Sequence, residues 1–154
     1  MAGKTEVGEA MERALAEAAA AAARGEVPVG AALVDGRTGA ILAASGNRVE
    51  ELHDPTAHAE MLVLRAAAAQ GAAKRLPDCD LYVTLEPCPM CAQAIAFARI
   101  RRLYFGAYDP KGGGVDHGPR IFEQPTCHHR PEVYGGIAES RAAALLQVFF
   151  QARR

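Results

Sequence analysis

Apolar positions near the start of the chain recur at helical spacing. Met11, Leu15, Ala18 and Ala22 form an i, i+4, i+7, i+11 stripe. The stripe predicts a first helix over about residues 5 to 24, with the alanine run at 18–23 as strong helix-forming filler and Gly25 as its stop. The pattern then changes to short apolar runs. Residues 27–34 and 40–44 flank Asp35-Gly36-Arg37-Thr38-Gly39 and predict a hairpin. Asp54 as N-cap and Pro55 at the first helical position predict a second helix, carried through Met61, Leu62 and Leu64 towards Gly71. Leu81 to Leu85 has the composition of a buried strand, Glu86-Pro87-Cys88 opens a third helix, and Arg102 to Ala107 is again a strand. Strand, helix and strand within about 25 residues make a βαβ unit, with parallel pairing and a right-handed crossover. A polar, glycine-rich segment from Asp109 to Pro119 follows. Beyond a short Val133-Tyr134 segment lies a final helix bearing Leu145, Leu146, Val148, Phe149 and Phe150. The expected class is α/β, with helices on both faces of a mixed sheet and one domain over residues 1–154.

Length and composition narrow this picture only slightly. A chain of 154 residues has the size of one ordinary domain. It buries roughly 70% of its unfolded surface without needing a metal or disulfide to fold. No apolar run approaches the roughly 18 residues of a membrane span. Glu6, Glu9, Glu12, Arg13 and Glu17 interrupt the alanine-rich start, and no basic stretch precedes it, so the expectation is a cytoplasmic protein that does not enter the membrane. The formal charge of −1, from 17 basic and 18 acidic residues, sets up no overall field for nucleic acid. Any RNA contact must come from local groups.

The candidate chemistry lies in two short motifs. His58-Ala59-Glu60 is followed some thirty residues later by Pro87-Cys88-Pro89-Met90-Cys91. Cys88 and Cys91 are three apart at a helix start, where both thiols can face one side and the helix end favours thiolate. Two thiolates and the His58 imidazole suit tetrahedral zinc, and three protein ligands leave a fourth position for water. Glu60 points elsewhere around its helix and is placed to move protons. This is the H-x-E…P-C-x-x-C signature of zinc deaminases. The chemistry it predicts is attack of hydroxide on an amidine-like ring carbon, with Glu60 carrying the proton to the ring and to the departing amine. Taken singly, each part has a blander reading. Cys88 and Cys91 could be a redox pair, or half of a structural zinc site closed by Cys79 or Cys127, and His58 an ordinary helix-start histidine. His53, His117, His128 and His129 form no second spaced ligand pair.

With these motifs in place, the chain resembles the bacterial tRNA-specific adenosine deaminases, which make inosine at the wobble position. The resemblance covers nearly the whole chain. It runs through Glu26 to Ala31, Gly46-Asn47-Arg48, Asp54 to Glu60, Leu81 to Cys91, Phe105-Gly106-Ala107, Asp109-Pro110-Lys111, Phe149-Phe150 and Arg153-Arg154. It implies a cytidine deaminase-like three-layer α/β/α sandwich with a mixed five-stranded sheet, one zinc per subunit and a homodimer. The implied substrate is the anticodon stem-loop of tRNA. Asn47 would contact the target nucleotide, and the Ala59 main chain would position the base. Arg48, Asp109, Lys111, Phe149, Arg153 and Arg154 would meet the RNA, as cations suit phosphates and an aromatic suits a splayed-out base. Residues 112–119 depart from the family's usual small-residue stretch, Asp116 adds negative charge there, and His128 stands where many members carry Asn. A deaminase of a free base such as guanine shares the zinc motifs and is the nearest rival. A non-catalytic zinc-containing RNA-binding subunit would have no need of Glu60.

Overall fold

A computed structural model describes residues 8–71 and 74–154. The elements are α1 (Glu9–Ala23), β1 (Gly30–Asp35), β2 (Ile41–Gly46), α2 (Val49–Leu52), α3 (Ala59–Ala69), β3 (Cys79–Leu85), α4 (Pro89–Phe97), β4 (Arg102–Ala107), β5 (Glu132–Tyr134) and α5 (Glu139–Gln151). The five strands form one mixed sheet in the order β2-β1-β3-β4-β5. β1 pairs antiparallel with both β2 and β3, whereas β3, β4 and β5 run parallel. The hairpin, the βαβ unit and the α/β class expected from the sequence are all present.

Strand periodicity divides the core into two layers. Leu33 of β1, Leu81 and Val83 of β3, and Leu103 and Phe105 of β4 pack with Val63 of α3 and Ile95 of α4. Full burial of each such side chain contributes roughly 1.5–3 kcal/mol. On the opposite face, Ala32 meets Met11, Ala14 and Leu15 of α1 and Ala142 of α5. The alanines of α1 let its backbone lie close to the sheet. A Cβ on Gly30 would collide with the Ala14 carbonyl and fall 2.6 Å from the Ala18 nitrogen. Also on that face, Tyr82, Tyr104 and Tyr134 occupy matched positions on β3, β4 and β5, with stacked rings at centroid distances of 4.4 and 5.1 Å.

Element ends differ from expectation in instructive ways. Helix α1 is described from Glu9, and residues 5–7 of the expected helix lie outside the described residues. β1 begins at Gly30, since Val27 to Val29 make a tight turn closed by Val29 N–H donating to the Val27 carbonyl. α3 begins after His58, not at Asp54 and Pro55. Asp54 Oδ1 instead accepts the Thr56 N–H at 2.8 Å and the Thr56 hydroxyl at 2.7 Å, a local turn that competes with helix. The four-residue α2 and a 3-10 turn at Ile121–Glu123 carried no periodic signal.

Candidate metal centre

His58 and Cys88 are the N-caps of α3 and α4, both in extended conformation, and Pro89 opens α4. An N-cap side chain ordinarily accepts a main-chain N–H of its own helix. Neither side chain does so here. They turn towards each other: His58 Nδ1 lies 3.6 Å from Cys88 Sγ and 3.5 Å from Cys91 Sγ. The three ligand atoms fall within 4.8 Å of one another, and no other described residue joins the cluster. Cys79 sits at the start of β3, and the Cys127 thiol donates to the His129 carbonyl. Neither completes a closed four-ligand site.

Two thiols and an imidazole gathered this closely are a donor set that suits a cation. A hydrogen bond from Cys91 brings the Cys88 thiol down to about 4. The same bond, with burial, pushes Cys91 far up. Its hydrogen bond to Cys88 raises the His58 imidazole against the effect of burial. One thiolate therefore forms at the expense of the other. A divalent cation among the three would sustain both, and sulfur with imidazole suits zinc. Glu60 is 3% exposed, and burial pushes its carboxyl up to about 7.

A cavity of about 690 Å³ opens over the cluster, with His58, Glu60 and Cys88 among its lining residues and Asn47, Asp109, Phe149 and Arg153 around them. Asn47 Oδ1 accepts the Ala59 N–H at 2.8 Å. That bond engages the Ala59 N–H and the Asn47 carbonyl oxygen. The Arg153 guanidinium lies 3.5 Å over the Phe149 ring. Phe149 is buried against the cavity, whereas Phe150 is 48% exposed and does not line it. Arg48 and Lys111 are also absent from the lining, and Arg48 pairs with Glu51 at 2.7 Å. Arg154 is exposed at the chain end.

Two buried lining carboxylates received no role from the sequence. Glu26 is buried and accepts the N–H groups of Glu50 and Glu51 at 3.0 and 2.8 Å, so it caps α2 from 24 residues away. Glu86 is buried two residues before Cys88 and gathers the main chain of residues 109–117. All their partners but the His117 ring are main-chain N–H groups, which leave no mark in the sequence.

Three ligands that leave a coordination position free, with a buried carboxyl beside them that is not a ligand, define a zinc-dependent deaminase. Residues 4–107 match the cytidine and deoxycytidylate deaminase zinc-binding region. A relative named tRNA-specific adenosine deaminase, from Agrobacterium fabrum, is 61% identical over 145 residues, covering 94% of this chain and 93% of the relative. One from Bacillus subtilis is 41% identical over 144 residues, covering 94% and 88%. A solved structure from work on A-to-I editing by tRNA:A34 deaminases at the wobble position of transfer RNA superimposes with a TM-score of 0.84 at 62% identity, covering 89% of this chain and 98% of that one. The chain belongs to the tRNA-specific adenosine deaminases, within the cytidine and deoxycytidylate deaminase zinc-binding family.

Proposed function

We propose that this chain, as one deaminase domain, converts adenosine to inosine at the wobble position of tRNA in the cytoplasm. The observation that carries the reading is Glu60, a buried carboxyl beside a three-ligand cluster and outside it. A structural metal site has no use for such a group. His58, Cys88 and Cys91 would hold the zinc, which when bound supplies the Lewis acidity that lowers the pKa of a water to about 7. Glu60, brought near neutrality by burial, takes one proton of the attacking water and gives it to a ring nitrogen, then takes the second from the new C6 hydroxyl and gives it to the leaving amine. Water thus adds at C6 of the adenine, and ammonia departs. The Asn47 NH2, fixed in direction by Ala59, orients the nucleoside. Phe149 is buried beneath the Arg153 guanidinium, which at the cavity offers a planar cation for a splayed-out base or for phosphate. Asp109 faces the same cavity, and Arg48 and Lys111 would meet the RNA outside it. The degree of identity to relatives bearing the tRNA deaminase name supports this substrate.

The test is ammonia release from an anticodon stem-loop with adenosine at the wobble position, side by side with free adenosine, guanine and cytosine. Turnover is expected on the stem-loop alone, with binding that weakens steeply as salt rises. Salt-insensitive turnover of free guanine would reject the reading. That activity is named for a solved guanine deaminase from Bacillus subtilis, 31% identical with a TM-score of 0.60 over 94% of this chain and 91% of that one.

A further inference from the structure

We infer that Glu86 is a positioning residue for the substrate: its carboxylate ties the segment 109–117 to the metal-ligand turn and thereby holds Asp109 at the cavity. The inference rests on the function proposed above. Five groups converge on this one side chain, which is 0% exposed. Oε1 accepts the Asp109 N–H at 3.0 Å and lies 2.8 Å from His117 Nδ1. Oε2 accepts the N–H groups of Val115, Asp116 and His117 at 3.2, 2.9 and 3.1 Å. Both oxygens are thus engaged within the protein, so Glu86 acts on a substrate through the residues it holds.

The held segment is anchored in the core at Val115, but around the clamp it is glycine-rich. It contains Gly112, Gly113 and Gly114, and glycine loses more freedom on ordering than any other residue. The fit around the carboxylate is close. A Cβ on Gly113 would lie 2.5 Å from Glu86 Cδ and 2.6 Å from the Asp109 carbonyl oxygen. The next residue rests on the metal turn itself. The Gly114 N–H donates to the Pro87 carbonyl at 2.8 Å, and a Cβ there would meet the Pro89 backbone at 2.5 and 2.7 Å. Within the segment, Asp109 Oδ1 accepts the Gly112 N–H at 3.0 Å, and both residues line the cavity. Cys88 on one side of Glu86 and Asp109 on the other are therefore set relative to each other through one carboxylate.

The experiment is a double-mutant cycle on the adenosine stem-loop, using Glu86→Gln, Asp109→Ala and the pair, with the zinc content of each protein measured. A carboxamide turns an NH2 towards donors that need an acceptor, so the wall loosens. Each single variant is expected to raise KM on the order of tenfold, with kcat changed far less. Zinc stays at one per chain. The pair is expected to match Asp109→Ala within about twofold, because Glu86 acts through Asp109. Losses that multiply in the pair, loss of zinc, or a fall in kcat at constant KM would each overturn the inference. Should Glu86→Gln fail to fold, Glu86→Asp asks the same question by withdrawing the carboxylate one methylene without changing charge, and a KM rise independent of Asp109 would again overturn it. A wild-type chain that leaves the stem-loop unchanged overturns the proposed function instead.

Discussion

Glu26, Glu60, Asp80 and Glu86 are the buried carboxylates among the described residues, and three of them are fully occupied. Glu26 and Glu86 collect main-chain N–H groups, and Asp80 takes both nitrogens of the Arg101 fork at 2.9 and 2.8 Å. Burial alone would push Glu86 up, but its N–H partners and His117 outweigh it and hold the carboxyl below its usual value. Glu60 meets only its own main-chain N–H and the Cys91 thiol, and burial prevails there, pushing its carboxyl up to about 7. Glu60→Gln keeps the shape and removes the base, so zinc content should be unchanged while turnover falls about 10²–10⁴-fold. Single-turnover deamination within tenfold of wild type would remove Glu60 from the mechanism. His58, Glu60, Cys88 and Cys91 were legible because their spacing is itself the chemical requirement. The clamps made by Glu26 and Glu86 were not, because they depend on backbone positions 23 to 31 residues away. Arg48, suggested by resemblance, is engaged by Glu51, a neighbour on the short α2 that no motif reveals.

Elements with a strong apolar signature were read correctly, as β3, α4 and β4 show. The error at α3 has a chemical origin, since Asp54 can serve equally as a helix cap or as the hinge of a tight turn. The Thr56 hydroxyl and N–H decide for the turn. That displacement has a functional result: it leaves His58 in extended conformation at the helix start, with its ring free for the cysteines. The close seat of α1 on the sheet was likewise hidden, because alanine filler looks the same on a loose helix as on a tight one. Gly30→Val would force α1 away from β1, a cost of about 1–3 kcal/mol for overpacking. The expected readout is a lower urea midpoint at unchanged slope, and an unaltered midpoint would show that α1 yields freely.

At the scale of the molecule, the charge balance of −1 leaves recognition to local groups around the cavity, while one apolar surface lies elsewhere. Phe97 on α4 is 68% exposed and lines a groove with Met61 and Leu64 of α3. No helix among the described residues is long and apolar enough to cross a membrane. The stacked tyrosines of the sheet bear on how this molecule can be observed. The chain has four tyrosines and no tryptophan, and three of the four stand in a single ladder across β3, β4 and β5. Its near-ultraviolet optical signal therefore originates mainly in the parallel half of the sheet, where the βαβ unit presents Cys88 and Cys91. The protein carries a built-in spectroscopic report on the half that bears its two thiol ligands.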